Sequence, residues 1–356
     1  MQDFFSERFK SKEDARLWAQ IVAFSPFVFQ TALSLRNFGL LKKLSLDMGT
    51  EFAELQKVAD LSEYSLSVLL DAGTSIGLLH ETENLFYLTL AGEFVEKDAL
   101  TQVNMNFTKE FCYKGLPALE DSLRKGTPEG LKVFGNWPTV YEGLTQIPDK
   151  PLKSWLEFDH YFSDDCFPKA LGILFQSKPK SILDVGGNTG KFAMACAEFD
   201  SEVKVTIVDH SEQLKIAEKN VDARGLSKQV RFIPMNLLNH ENALPKNHDV
   251  IWMSQFLDCF SKEDITSILK RARSAMSATS SLYIMETFID RQRYRAGRFC
   301  LDMTSLYFTC FANGNSRMYR ATDFEELIGK AGLKIVEEID YIRLSHSILK
   351  CQIKQE

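Results

Sequence analysis

The sequence predicts an α/β protein in which a doubly wound parallel sheet follows a smaller domain of helices and a hairpin. From residue 179 onward, apolar strand-like runs alternate with helical runs, which is the pattern of a doubly wound sheet. The first of these strands leads into a turn with three glycines and then a helix that begins near Lys191. The second strand ends on Asp209, 19 residues after Gly190. Before them, residues 36–97 show two short helices and a hairpin.

Composition narrows the class of protein before any motif is considered. At 356 residues the chain is long for one domain, and 45% hydrophobic with 25% charged residues is typical of a globular protein. A net charge of −6 argues against a general nucleic-acid binder. The seven cysteines contain no Cys-x-x-Cys pair, which predicts reduced thiols in a cytoplasmic protein and no metal site.

One N-terminal stretch has the length of a membrane span. Residues 17–35 contain no charge over nineteen positions. They do include polar residues and Pro26, and the preceding residues mix acids and bases, unlike a secretory leader. We therefore expect no membrane span, and helices buried against another subunit.

Residues 36–97 predict a winged-helix arrangement within an N-terminal domain over residues 1–100. Amphipathic helices are expected at 51–61 and 63–79, followed by a hairpin around Asn84. Winged helices often bind DNA, but residues 51–100 contain ten acids against Lys57 and Lys97 only. Such a face cannot neutralise phosphates, so DNA binding is not expected.

The remaining residues, 101–356, predict a second domain with a helical segment and a sheet. Residues 101–176 are rich in aromatics, most of them core at helical spacing. Some of these are predicted to line an apolar cavity for a flat substrate: Trp137, Phe158 and Tyr161. In the sheet segment, 177–356, later strands are expected at 230–235 and 281–289, and the last two runs predict a hairpin at the sheet edge.

The glycine turn indicates a nucleoside site. Gly186, Gly187 and Gly190 allow positive φ and close approach of a ligand, and the next helix directs free N–H groups toward it. A carboxylate at Asp209 can accept hydrogen bonds from both ribose hydroxyls. The spacing is Asp-x-Gly-Gly-x-x-Gly from Asp184, which is not the dinucleotide fingerprint.

This motif resembles the first motif of class I methyltransferases that use S-adenosylmethionine, and the whole chain resembles one family of them. These are the O-methyltransferases of plant phenolics and bacterial polyketides, which join a winged-helix dimerisation domain to a Rossmann-like methyltransferase sheet. The resemblance implies S-adenosylmethionine as cofactor, a small-molecule acceptor, a homodimer, and transfer to an oxygen of an aromatic or polyketide-like molecule.

The family's cofactor residues can be carried over by position. The three glycines would hold the methionine part, with Asn188 in place of a further glycine, a substitution that tolerates left-handed φ. Asp209 would bind the ribose, with His210 packed beside it. Other implied positions follow the next two strands: Asn236 and Leu237 at the adenine, and Ser254 and Gln255 beside the cofactor.

The sequence departs from the family pattern at the positions expected to take part in catalysis. Where the family has Leu-His-Asp-Trp with a histidine base, this chain has Leu257-Asp258-Cys259-Phe260. Glu286, one helper carboxylate, is retained, while Met318 replaces the other. Asp302 joins the predicted lining of the acceptor cavity.

A solvated aspartate is a poor base for a phenol, because their pKa values near ~3.9 and ~10 differ by about 6 units, or about 8 kcal/mol. Burial would raise the aspartate's pKa and narrow that gap. Several interpretations stay open: an intrinsically acidic acceptor, an Asp258 that only orients substrate, or a proton taken by Glu286, His160 or His346. The lost histidine also permits a family member repurposed for another reaction.

Overall fold

The computed structural model describes residues 11–343 and 345–355, apart from the side chains of residues 162 and 163. Contacts divide the chain into two compact units, one ending at Lys109 and one beginning at Glu110. Each unit has its own buried core.

The N-terminal unit is mostly helical. Its helices are α1 (Lys12–Ala23), α2 (Ser25–Asn37), α3 (Leu40–Leu46), α4 (Phe52–Ala59), α5 (Glu63–Ser75), α6 (Leu90–Lys97) and α7 (Ala99–Phe107). Its strands are β1 (Thr50–Glu51), β2 (Leu79–Thr82) and β3 (Leu85–Leu88), in the sheet order β1-β3-β2.

The expected helix pair and hairpin are present in this unit. Glu83 and Asn84 adopt positive φ between β2 and β3, as a two-residue hairpin turn requires. The predicted second helix was too long, because α5 ends at Ser75 and Leu79 already belongs to β2. Strand β1 is too short to show an alternating pattern, and the sequence did not reveal it.

Helix α1 has no buried residue within the described chain. Large apolar side chains are exposed along α1 and the start of α2, with Phe27 71% exposed and Leu17 59% exposed. No single helix of the described residues is long and apolar enough to cross a membrane; α1 and α2 together reach that length and composition, with a bend of 73° between them.

The second unit contains helices and a large sheet. Its helices are α8 (Leu119–Lys125), α9 (Val140–Gly143), α10 (Asp149–Ser163), α11 (Phe167–Leu174), α12 (Lys191–Phe199), α13 (Ser211–Ala223), α14 (Lys262–Ala275), α15 (Arg295–Tyr307) and α16 (Ala321–Lys330). Its strands are β4 (Ser181–Val185), β5 (Lys204–Asp209), β6 (Val230–Pro234), β7 (Val250–Ser254), β8 (Ser281–Glu286), β9 (Leu333–Ile342) and β10 (His346–Ile353).

The sheet order β6-β5-β4-β7-β8-β10-β9 confirms the doubly wound arrangement. Strands β4 to β8 pair in parallel, and β10 pairs antiparallel with β8 and β9, as the predicted edge hairpin requires. The chain runs outward from β4 through β5 and β6, then resumes on the other side of β4 with β7. This reversal creates a crevice at the carboxyl end of β4, where ligands bind in such sheets.

Apolar residues cover both faces of the sheet. One face packs against α14 and α16, with Leu183, Ile251 and Ile284 in its core. The other packs against α11, α12 and α13, with Ile182, Trp252 and Met285. Burial on both faces explains why the strands are continuous apolar runs. The apolar spacing of residues 211–225 predicts that Ile216 faces inward on α13, but 47% of it is exposed.

Candidate active site

The glycine turn between β4 and α12 has the backbone that the sequence predicted. Gly186 and Gly190 have φ of 77° and 80°, and Asn188 has φ of 48°. A side chain at Gly187 does not fit, because its Cβ would lie 2.7 Å from Ile207 Cγ2 and 2.8 Å from Asp184 Oδ2. The φ of 48° at Asn188 confirms that this residue adopts the left-handed conformation expected of it.

Asp209 and Asp184 lie at this turn. Asp209 Oδ2 accepts the backbone N–H of Asn188 at 2.9 Å, and its Oδ1 accepts that of His210 at 2.7 Å. Asp184 is only 3% exposed, and its Oδ2 has no hydrogen-bond partner among the described residues. Burial, with the charge of Asp209 adding to it, raises the pKa of Asp184 to about 7. Burial also raises the pKa of Asp209.

These observations fit a nucleoside cofactor with an amino-acid portion. Because a Cβ at Gly187 would meet Ile207 and Asp184, glycine there lets the turn pack closely against the ends of β4 and β5. An unpartnered buried carboxyl oxygen on Asp184 offers a polar contact that the described chain does not use.

The other predicted cofactor positions follow β5, β6 and β7 at the same sheet edge. His210 is exposed at the start of α13, and Asn236 is exposed after β6. The side chain of Leu237 is 5% exposed within the core. Ser254 ends β7, and Gln255 follows with φ of 45° while its N–H donates to the carbonyl of Met285 at 2.9 Å.

Asp258 lies in a helical turn, Leu257–Cys259, just beyond β7. It is 7% exposed, and the thiol of Cys259 donates to its Oδ1 at 3.5 Å. Burial, with the charge of Asp159 adding to it, raises the pKa of Asp258 to about 7. An aspartate exposed to solvent at the end of a strand would be neither buried nor raised in pKa, so Asp258 is not such a residue.

Glu286 holds the turn that carries Asp258. Its Oε1 accepts the N–H groups of Phe256 and Leu257 at 3.1 Å and 2.9 Å. The side chain is 2% exposed, and burial raises its pKa well above the usual range. The geometry therefore makes Glu286 a support for the turn.

The surroundings of Asp258 include residues that no sequence motif marks as part of the site. Asp159 on α10 acts electrostatically on Asp258, and Tyr141 shares a hydrogen bond with Cys259. Trp155 on α10 donates its indole N–H to the hydroxyl of Tyr307 at 2.6 Å. The only sequence signal for Asp159 was its place among aromatics already expected at the acceptor.

The residues predicted to line the acceptor cavity have varied environments. The Trp137 ring packs between Gly135 and Gly143, where a Cβ would lie 2.3 Å from it at either glycine. Phe158 and Tyr161 are half-buried on α10. Asp302 Oδ2 lies 3.9 Å from Arg298 Nε, one turn earlier on α15.

The alternative bases differ in their environment. His346 is 1% exposed, with Nδ1 3.3 Å from Cys166 Sγ, and burial lowers its pKa to about 4. His160 is half-buried on α10. The sulfur of Met318, at the helper-glutamate position, accepts the hydroxyl of Thr287 at 3.5 Å. A thioether has no proton to exchange, so Met318 cannot perform a carboxylate's role.

A separate cavity of about 690 Å³ opens at the amino ends of the strands, lined in part by Lys204, Arg231 and His248. It lies at the sheet edge opposite the glycine turn, because Ser181 begins the strand that leads to that turn.

Comparison with known proteins identifies the family. A model of the O-methyltransferase domain matches residues 166–334, and a model of the Dimerisation2-like domain matches residues 16–86. The chain belongs to this family of S-adenosylmethionine-dependent methyltransferases. Curated relatives of the methyltransferase are named for transfer to carbon, nitrogen and oxygen.

Three individual similarities cover most of the methyltransferase. It is 21% identical over 332 residues to the L-tyrosine C(3)-methyltransferase of Streptomyces lavendulae, covering 90% of this chain and 88% of that protein. The apo structure of the S-adenosylmethionine-dependent methyltransferase SibL matches with a TM-score of 0.73 and 22% identity over 94% of this chain and 98% of that one. The O-methyltransferase NcsB1 from neocarzinostatin biosynthesis, solved with S-adenosylmethionine and 2-hydroxy-5-methyl naphthoic acid, matches with a TM-score of 0.64 and 19% identity over 92% of this chain and 96% of that one.

Proposed function

We propose that the methyltransferase transfers the methyl group of S-adenosylmethionine to a hydroxyl oxygen of a small aromatic acceptor, with Asp258 as general base. The observation that carries this proposal is the burial of Asp258. With its pKa raised to about 7, the gap to a phenol near ~10 is about 3 pKa units, or about 4 kcal/mol. That gap is half of the one for a solvated aspartate, so the loss of the family histidine is compatible with catalysis.

Bound S-adenosylmethionine supplies a methyl group on a sulfonium that is already activated for displacement. We propose that Asp209 binds the ribose of this cofactor. The turn of Gly186, Gly187 and Gly190 binds its amino-acid portion, and Asp184 lies buried next to this turn. Asn236 and Leu237 are proposed at the adenine, and Ser254 and Gln255 beside the cofactor. Asn188 and His210 contribute through the backbone N–H groups that orient Asp209.

Asp258 then accepts the proton from the acceptor hydroxyl, while the aromatic residues hold the acceptor in line with the methyl group. We propose Trp137, Phe158, Tyr161 and Asp302 for this lining. Glu286 keeps the Asp258 turn in place through its backbone hydrogen bonds. Most of the rate enhancement comes from this alignment.

The test is incubation with isotope-labelled S-adenosylmethionine and a panel of phenols, followed by mass spectrometry and NMR of the products. We expect a labelled O-methyl ether from at least one phenol. Label on a ring carbon would make the enzyme a carbon methyltransferase, as the L-tyrosine relative is named. No transfer to any phenol, with intact cofactor binding, would contradict the proposed acceptor class.

We also propose that the protein is a homodimer formed through its N-terminal unit. The Dimerisation2-like match covers residues 16–86, and α1 has no buried residue within the described chain. Exposed aromatic side chains such as Phe24 and Phe27 need a covering surface.

Light scattering should give twice the mass of the chain. Phe27→Asp should shift the protein toward the chain mass, because a carboxylate at a buried apolar contact is strongly unfavourable. An unchanged circular dichroism spectrum would show that the variant is folded. A monomeric wild type would contradict the proposal.

We propose that the protein is located in the cytoplasm. None of its seven cysteines, all within the described residues, forms a disulfide. This is typical of a reducing compartment.

A further inference from the structure

The helical turn that carries Asp258 is too short to fix its own position. It spans only Leu257–Cys259. A helical turn leaves its first N–H groups and its last carbonyl groups without partners inside the turn. Glu286 Oε1 accepts the N–H groups at the start, those of Phe256 and Leu257. The carbonyl groups after Asp258 therefore need donors from elsewhere in the chain.

Two side chains of one later segment, residues 313–319, supply these donors. The amide Nδ2 of Asn313 donates to the carbonyl of Cys259 at 2.7 Å. The hydroxyl of Tyr319 donates to the carbonyl of Phe260, also at 2.7 Å. The turn is thus held at its start from β8 and at its end from the 313–319 segment, with Asp258 between the two.

Asn313 and Tyr319 are themselves held in fixed orientations. Asn313 Oδ1 accepts the N–H of Ser316 at 3.1 Å and its hydroxyl at 2.9 Å, which leaves the amide nitrogen to donate to Cys259. Ser316 and Tyr319 are each 3% exposed, and the Tyr319 ring lies 5.7 Å from that of Phe324 on α16. Burial raises the pKa of Tyr319, so its hydroxyl keeps the proton that it donates.

We propose that Asn313 and Tyr319 are positioning residues, which hold the turn so that the carboxyl of Asp258 stays buried and faces the acceptor hydroxyl. This inference rests on the proposed function, in which Asp258 is the general base. The same segment contains Met318, at the position where the family has a helper glutamate. The segment therefore supports the base through neutral hydrogen-bond donors instead of a carboxylate.

The burial that the turn maintains sets the protonation of Asp258. The titratable side chains that interact electrostatically with it are Cys259 beside it, Asp159 on α10, Tyr141 on α9, Glu286 on β8 and Tyr319. Burial is the largest cause of its raised pKa. If the turn loosens, water reaches the carboxyl, and its pKa should fall toward the ordinary value of 3.8.

Two variants remove one donor each. Tyr319→Phe keeps the ring and loses the hydroxyl, and Asn313→Asp keeps Oδ1 as an acceptor for Ser316 and loses the amide donor. With the phenol of the labelled panel that gives the highest kcat/KM, each variant should lower kcat about tenfold and change KM for S-adenosylmethionine less than about twofold. The rise of kcat/KM with pH, expected through about 7 in the wild type, should move down by at least about one pH unit.

Alkylation of Cys259 by iodoacetamide measures the state of the turn without any acceptor. Burial and the neighbouring carboxyls raise the pKa of this half-buried thiol, so a loosened turn should speed its alkylation at least about tenfold. Peptide mass spectrometry follows each cysteine separately. Cys300 should keep its wild-type rate, and so should Cys196, which is buried in the core and would react faster in a generally destabilised protein.

Asn315→Asp and Tyr294→Phe are the matched controls, since both side chains are exposed, and they should leave every rate at its wild-type value. In either donor variant, wild-type alkylation of Cys259, or an unchanged kcat and pH profile, would overturn the positioning role of the residue replaced and leave Asp258 as the base. If no phenol of the panel is methylated, or if Asp258→Asn keeps wild-type turnover, the base role fails and the positioning role in the reaction fails with it.

Discussion

Replacing Asp258 with Asn should lower kcat for methyl transfer about 10²–10⁴-fold, the usual contribution of a general base. Asparagine keeps the shape of the side chain but cannot accept the hydroxyl proton. The affinity for S-adenosylmethionine should stay unchanged, because the proposed cofactor contacts lie at the glycine turn and Asp209. Steady-state kinetics and calorimetry measure the two quantities separately.

The role of Asp258 as a base also predicts how the rate of methyl transfer changes with pH. Asp258 must be ionised to act as a base, so kcat/KM of the wild type should rise as pH increases through about 7. The Asn variant should lose this rise. Glu263→Gln is the control, because Glu263 is exposed in the first turn of the neighbouring α14, and it should keep the wild-type profile. Wild-type turnover in Asp258→Asn would show that another group takes the proton.

The burial of Asp184 and Asp258 also makes the stability of the protein depend on pH. The pKa values of Asp184 and Asp258 are both raised to about 7 from 3.8. The folded state therefore binds more protons than the unfolded state between these values, and the free energy of unfolding should fall as pH rises through 7.

Replacing Asp209 with Ala should weaken S-adenosylmethionine binding at least about 100-fold. A hydrogen bond to a charged acceptor contributes about 1.5–3 kcal/mol, and two ribose hydroxyls are proposed to bind this carboxylate. The substitution also removes the acceptor for the N–H groups of Asn188 and His210, which loosens the glycine turn. Calorimetric titration with the cofactor measures the loss.

Glu202→Ala is the matched control for the Asp209 variant. Glu202 is an exposed acid just before β5, at the end of the strand opposite to Asp209. Its removal changes the net charge by the same amount and should leave cofactor affinity intact. Undiminished affinity in Asp209→Ala would remove that residue from the site.

Local sequence signals predicted the parts of the site that are close together in the chain. Continuous apolar runs indicated the positions of β4 and β5, and Gly186, Asn188 and Gly190 take the left-handed conformation that their residue types tolerate. Asp209 could be placed because the carboxyl ends of neighbouring parallel strands meet at one sheet edge. The hairpin of β9 and β10 followed from two strand-like runs with a short break.

The remaining parts of the site depend on tertiary packing, which the sequence pattern does not show. Asp159 and Asp258 are far apart in sequence, and only the packing of α10 makes their charges interact. The same packing joins Trp155 to Tyr307. Burial also sets the protonation states of ionisable side chains, which the residue type alone does not determine. It keeps His346 neutral near neutral pH and gives Asp258 a pKa suited to a general base. Sequence patterns do not report the depth of an individual side chain.

A crystal structure with S-adenosylhomocysteine and a methylatable phenol tests the central claim most directly. We expect the ribose hydroxyls on the Asp209 carboxylate and the phenol oxygen about 2.6–3.2 Å from an Asp258 oxygen. A phenol oxygen bound elsewhere, with Asp258 turned away from it, would contradict the account.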